Sequence, residues 1–284
     1  MIKNTINYID YLIIGHVTCD IHETGNTIGG TAAYSAVCAH ALGRKPAILT
    51  AGAGNTVPYE LEGFQIKWKI SKKSTTFENI ETQDGRKQIL HAVANPIIPE
   101  DVPQNWMHAS LVHLGPVANE IDPGIIDIFP NAFIGLTPQG WMRARGKNNI
   151  VHFHQWEQAN ILLKRANAVV LSIEDVKGDE EIIQSYTGKT NVLVITEGYK
   201  GARVYWNGDV RHFSAPKVSL VDATGAGDIF AAVFFDRLER TSDPWESTKM
   251  AIKVASQSVT RNGLTGVPTP QEFRSFQTEI IEGK

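Results

Sequence analysis

The sequence predicts a three-layer α/β domain on a mostly parallel sheet, with a small β lid, and three observations predict it. Runs such as AVVLS (168–172) and VLVIT (192–196) are apolar almost throughout, as expected of parallel strands covered on both faces. Helix-forming stretches alternate with these runs along most of the chain. Two polar segments, 17–28 and 63–92, interrupt the alternation with the period-two pattern of strands that meet solvent on one face.

In chain order, residues 9–14 form a buried strand ended by Gly15. Residues 17–28 form a ribbon that leaves the core. The Ala-rich run from Thr31 to Leu42 is a helix closed by Gly43, and residues 46–51 are a second buried strand. FQIKWKI (64–70), STTFENIET (74–82), an Asp84-Gly85 turn and RKQILHAV (86–93) read as an antiparallel patch. After Pro99, strands are predicted near 110–114, 132–136, 167–172, 191–196 and 202–206. Helices are predicted near 158–165, 179–186, 228–240, 245–261 and 270–280. The whole of 1–284 reads as one domain, with 17–28 and 63–92 as its lid.

The chain has 284 residues, 42% hydrophobic and 20% charged, with 27 Lys and Arg against 30 Asp and Glu for a net charge of −3. Such a balance argues against a nucleic-acid partner, which favours a basic stripe, and for a small molecule. Cys19 and Cys38 cannot build a disulfide framework and read as small core residues. The N-terminus has no basic start, and Leu12-Ile13-Ile14 is too short for a signal peptide or a membrane span. The expectation is a reduced, cytoplasmic protein without a membrane partner. The half-exposed lid offers an edge through which two copies can pair as a homodimer.

The chemistry concentrates in Val221-Asp222-Ala223-Thr224-Gly225-Ala226-Gly227-Asp228, which leads into the apolar helix IFAAVFF. Glycines on either side of Ala226 let the backbone approach a ligand. The free amides of Gly225, Ala226 and Gly227 then face outward at the positive end of a helix, an anion site suited to a phosphoryl group in transit. Asp228, in the first turn, is placed to accept the proton of an incoming hydroxyl. A tight turn capped by an aspartate is the plainer reading of the same residues. Two acids bracketing the loop favour the chemical one, since a cap needs only one.

DATGAGDIFAA (222–232) resembles the C-terminal signature of the PfkB, ribokinase-like carbohydrate kinases, D-T-x-G-A-G-D. Ala223 and Val233 depart from the usual residues without touching the chemistry. The resemblance implies a ribokinase-like fold, Asp228 as catalytic base, and Gly225, Ala226 and Gly227 as the anion hole. Upstream, IGGTAAYSA (28–36) is similar to the family's Gly-Gly sugar-site motif, and Gly15-His16-Val17-Thr18-Cys19-Asp20 to its opening segment. The resemblance so implies Asp20, Gly29 and Gly30 as acceptor ligands. A strand-to-helix turn and a solvated carboxylate are the plainer readings there. Thr196-Glu197-Gly198-Tyr199-Lys200-Gly201 resembles the T-x-G-x-x-G nucleotide turn, which implies ATP contacts at Thr196, Gly198 and Gly201; a hairpin turn is the alternative. Ser172 and Asp175 stand where the family carries N-x-x-E. Ser172 is thereby expected beside ATP, and Asp175 beside magnesium through a water. Gly263 fits the family's closing glycine, and Ile252 replaces a polar residue usual near the adenine.

The implied reaction is transfer of the γ-phosphoryl of Mg-ATP to a hydroxyl of a sugar, a cyclic polyol such as myo-inositol, or a nucleoside. A monovalent cation is compatible with it. Gln139, after the strand FIGL at the sheet edge where ligands bind, is a candidate hydroxyl ligand, and Arg143 an anion or structural partner. Tyr34 replaces a residue that is often Asn in sugar-binding members and leaves room for a flatter or bulkier ring. The departures at Ser172, Asp175 and Ile252 keep a second class open, a non-catalytic ligand-sensing relative. Gly52-x-Gly54 lacks a third glycine, no P-loop motif occurs, and His152 and His154 lack a third metal ligand nearby.

Overall fold

The structure is a computed structural model that describes residues 8–22, 25–54, 57–82 and 85–282. The Asp84 half of the expected turn and residues 1–7 lie outside them. In chain order the elements are β1 (Tyr11–Ile14), β2 (Thr18–His22), β3 (Gly25–Gly29), α1 (Thr31–Ala41), β4 (Pro46–Ala53), β5 (Gln65–Ser71), β6 (Thr76–Thr82), β7 (Gly85–Ala92) and β8 (Leu111–Leu114). They continue with β9 (Phe133–Leu136), β10 (Arg143–Arg145), β11 (Val151–Phe153), α2 (Ala159–Arg165), β12 (Ala168–Ser172), α3 (Glu180–Tyr186), β13 (Val192–Thr196), β14 (Ala202–Trp206), β15 (Asp209–Phe213), α4 (Ala226–Thr241), α5 (Pro244–Ser258) and α6 (Pro270–Glu282).

Nine strands form the central sheet in the order β15-β14-β13-β12-β9-β8-β1-β4-β5. Seven are joined by parallel pairing, and β14 and β15 add an antiparallel hairpin at one edge. Alternate residues of β1 enter opposite cores. Tyr11 and Ile13 pack with residues of α1, α4 and α5, whereas Leu12 and Ile14 pack with α2, α3 and the 3-10 turns. Because both faces are covered, β1 and β8 are buried at every position.

The Ala-rich composition of α1 has a packing reason. Small side chains let α1 lie against α4 so closely that Ser35 Oγ donates to the Asp228 carbonyl at 3.4 Å and Cys38 Sγ approaches that of Ile229 at 3.9 Å. At the far ends of the same pair, Arg44 is buried and its Nε donates to Asp236 Oδ1 at 2.6 Å. The two helices are thus fixed in register at both ends, which brings their N-termini together.

A second sheet, β3-β2-β6-β7, projects from the first. Its β2–β3 and β6–β7 pairs are antiparallel, and β2–β6 is parallel. The sequence places 64–70 in this patch. Instead β5 is the edge of the central sheet, parallel to β4. An edge strand is covered on one face only: Ile66 packs on the core while Lys67, on the other face, is exposed, so it alternates as a free ribbon does. Strand β15 goes unanticipated, although the Asn207-Gly208 turn before it, with φ of 51° and 83°, carries the hairpin dipeptide.

His16 ties the crossings between the sheets. Its Nε2 lies 3.0 Å from the Asn95 carbonyl and its Nδ1 2.6 Å from Thr75 Oγ1. A carbonyl only accepts, so Nε2 donates to it. Beside it, buried Glu120 accepts from the amides of His16, Val117 and Ala118 at 3.0, 2.9 and 2.7 Å.

Candidate active site

Two helix N-termini meet at one point. α1 begins after Gly30 and α4 after Gly225; neither has a side-chain cap, and both glycines take positive φ, 87° and 76°. A helix start without a side-chain cap leaves amides for an anion. The meeting point is marked by Thr31 Oγ1, which donates to Asp228 Oδ1 at 2.7 Å. Beside Asp228 the loop opens: among the described residues, nothing apart from the adjoining residues and the backbone of α4 lies within 4 Å of where a Cβ on Gly227 would project.

Asp228 is partly buried, and burial pushes its pKa up to about 6. The Thr31 hydrogen bond and the Arg143 guanidinium pull it down, while Asp175 and Asp20 push it up. Three carboxylates and one arginine therefore share a field, although they come from β2, the turn after β12, β10 and α4. For Asp175, burial raises the pKa more than Arg143 and the Ser172 amide lower it.

On the side where the sequence places the acceptor, Asp20 is buried and accepts from Thr18 Oγ1 at 2.9 Å. A Cβ on Gly29 would overlap the Asp20 carboxylate, and one on Gly30 would overlap the His16 carbonyl. The paired glycines thus let β3 and α1 close on the Asp20 side chain. Gln139, expected as a hydroxyl ligand, is engaged at both ends: its Nε2 donates to Thr31 Oγ1 at 3.1 Å and its Oε1 accepts from Arg143 Nη2 at 2.8 Å. Arg143 also donates to the Val117 carbonyl at 3.1 Å and lies 5.8 Å from the Phe77 ring of the second sheet. Tyr34 does not line this space. It is 1% exposed, its ring fills the place of a Gly225 side chain, and the wider acceptor room expected from it is absent.

On the other side, Ser172 and Thr196 are register partners at the C-terminal ends of β12 and β13. Ser172 and Asp175 cap their own turn: the Ser172 amide donates to Asp175 Oδ2 at 2.9 Å, and Ser172 Oγ accepts from the Glu174 amide at 3.2 Å. Gly198 is exposed at φ 57°, whereas Gly201 is buried where a Cβ would strike the Phe213 carbonyl. Gly201 therefore serves the close return of the hairpin. Asp222 staples the glycine loop to the segment after α5, accepting from the Thr224 and Gly263 amides, each at 2.8 Å. Burial raises its pKa, but those hydrogen bonds, with His22 nearby, bring it below the usual carboxylate value. A cavity of about 210 Å³ lies between the segment after β15 and α5, lined by Phe213, Ser214, Pro216, Lys249, Ile252 and Lys253.

Sequence reasoning passed over Thr31 as part of a helix-forming run, and Asp222 as a staple. The Thr that follows Gly-Gly and opens a helix is a signal only once a partner across the chain is known. Among the described residues, no group of three His, Cys, Asp or Glu is arranged to hold a metal ion, and no helix is long and apolar enough to cross a membrane.

Solved structures of the same shape define the fold as ribokinase-like α/β. A myo-inositol-3 kinase converted from a pyrophosphate-dependent myo-inositol-1 kinase superposes with TM-score 0.79 at 20% identity, covering 95% of this chain and 99% of that one. A putative ribokinase II from E. coli, in complex with ATP and Mg2+, gives 0.72 at 15% identity over 96% and 100%. Residues 157–271 match the family model described as pfkB family carbohydrate kinase. Among curated relatives, the cytidine kinase of Thermococcus kodakarensis is 25% identical over 90% of this chain and 98% of its own length. The fructokinase of Escherichia coli is 26% identical, with the match spanning 60% of this chain and 62% of that enzyme.

Proposed function

We propose that the protein is an ATP-dependent kinase that phosphorylates a hydroxyl of a small polyhydroxylated acceptor: a sugar, a cyclic polyol such as myo-inositol, or a nucleoside. The observation that carries this reading is the partly buried carboxylate of Asp228 held where two helix starts without side-chain caps converge. A proton acceptor and a phosphate cradle are what an in-line phosphoryl transfer asks of a protein.

In this mechanism Asp20 and the Gly29-Gly30 turn orient the acceptor, with the second sheet acting as a lid that keeps water from the donor. Asp228 takes the hydroxyl proton as the acceptor oxygen bonds to the γ-phosphorus. The bond from that phosphorus to the β-phosphate oxygen breaks, and ADP leaves. The amides of Gly225 and Gly227 hold the charge on the phosphoryl oxygens in passage, whereas the Ala226 amide, expected to be free as well, donates to the Ala223 carbonyl at 3.2 Å and closes the turn. Ser172, Thr196 and Gly198 border the nucleotide. The residues present fit a magnesium ion carried mainly by phosphate oxygens, because Asp175 gives one oxygen to the Ser172 amide and keeps the other for a metal-bound water. When bound, magnesium offsets phosphate charge.

A second donor is favoured by one observation. Lys249 and Lys253 flank Ile252 in the cavity beside α5, and cationic side chains around an apolar floor suit a bare inorganic phosphate chain as well as a nucleotide. The solved myo-inositol kinase, derived from a pyrophosphate-dependent one, adds support to pyrophosphate as donor. The test is a matrix of Mg-ATP and Mg-pyrophosphate against hexoses, inositols and nucleosides, scored by phosphorylated product. Acceptor-dependent transfer from ATP supports the principal reading, and transfer from pyrophosphate alone supports the second. Binding of an acceptor without transfer from either donor contradicts both and favours a ligand-sensing relative.

A further inference from the structure

We propose that Thr31 and Gln139 are positioning residues through which Arg143 sets the orientation of Asp228, leaving Oδ2 as the atom that receives the acceptor proton; this rests on Asp228 being the base. Each link of the chain has only one chemical sense. A guanidinium only donates, so Gln139 presents Oε1 to Arg143 Nη2 at 2.8 Å. The amide's nitrogen then faces Thr31, and Nε2 donates to Thr31 Oγ1 at 3.1 Å. Having accepted there, the Thr31 hydroxyl directs its single proton to Asp228 Oδ1 at 2.7 Å. The direction is fixed by the arginine and does not depend on how the glutamine amide is drawn.

The chain is anchored at its start and sealed at its end. Arg143 is held by the Val117 carbonyl at 3.1 Å and rests near the Phe77 ring. Thr31 is fully buried, so water has no route to replace its hydroxyl. Its donation stabilises the ionised form of Asp228 and holds the carboxylate plane. Because Phe77 belongs to the second sheet, the chain also links the state of that sheet to the base.

The experiment compares T31V and T31S with wild type in kcat, acceptor KM and the pH profile of kcat. The charged groups facing Asp228 are Arg143, Asp175 and Asp20, and none of them is altered. T31V is expected to lose about tenfold or more in kcat with little change in KM, and to move the acid limb to higher pH, because a donor to the carboxylate is gone. T31S is expected to restore both. Should T31V fail to fold, Q139L supplies a second readout: it separates Thr31 from Arg143 without adding a charge, and is expected to lower kcat with little change in acceptor KM, whereas a wild-type kcat in Q139L overturns the proposal. A T31V enzyme with wild-type kcat and acid limb, or a T31S enzyme as impaired as T31V, overturns the proposal. D228N separates the two levels: if it is inactive while T31V is unaffected, only the positioning chain fails. If D228N turns over normally, the base reading fails and the proposal with it.

Discussion

The ring of Tyr34 occupies the space that a side chain on Gly225 would need, at a residue whose φ is 76°. The glycine that opens this loop is thus required twice, by its backbone and by its neighbour. G225A is expected to lower stability by about 1–3 kcal/mol and to cut turnover sharply, because the loop must leave its left-handed conformation. Denaturant midpoints and kcat measured on one preparation check this. Unchanged values for both would mean the loop is not held as described.

Asp228 also predicts a pH dependence of stability. Its carboxylate pKa is raised to about 6 in the folded protein, so between the ordinary aspartate value and that point the folded state holds a proton the unfolded state has released. This group's contribution therefore weakens stability as pH rises through the window. D228N removes the buried charge and is expected to match or exceed wild type in melting temperature at pH 8, with the difference closing below about pH 4. Thermal melts across that range test the sign. A D228N protein that is less stable at pH 8 would contradict it.

Asp222 predicts an effect on the donor. Losing its carboxylate strands two backbone amides that it pins at 2.8 Å. D222A is expected to cost about 1–3 kcal/mol and to raise donor KM more than acceptor KM. Steady-state kinetics with each substrate varied in turn separate these effects.

Far from the chemistry, buried Arg44 and Asp236 join the distal ends of α1 and α4 at 2.6 Å. Among the described residues, R44A leaves Asp236 paired with Arg240 alone, a half-exposed partner at 2.8 Å. The expected loss is roughly 3–5 kcal/mol, with a smaller loss when Asp236 is replaced as well. A chemical-denaturation cycle measures the coupling.

The elements nearest the chemistry were the most legible in the sequence. The apolar run of β13 and the glycine-rich start of α4 each carry a local signal, periodicity in one and backbone freedom in the other. What stayed hidden depends on partners distant in the chain. Strand β5 has the pattern of a free ribbon because an edge strand and a ribbon expose the same alternate residues. Tyr34 reads as an acceptor-site substitution until Gly225, far along the chain, is placed over its ring. Thr31 shows nothing of its role before Asp228 is brought 2.7 Å away across 197 positions. Local pattern therefore located the glycine loop, and only the tertiary fold brings Thr31 to its carboxylate.

The most direct test of the whole account is acceptor-dependent phosphoryl transfer by D228N at pH 8, with an acceptor that the wild-type protein phosphorylates. The account predicts retained donor binding and a fall in turnover of about a hundredfold or more. Turnover within a few-fold of wild type, with the fold intact, would contradict it.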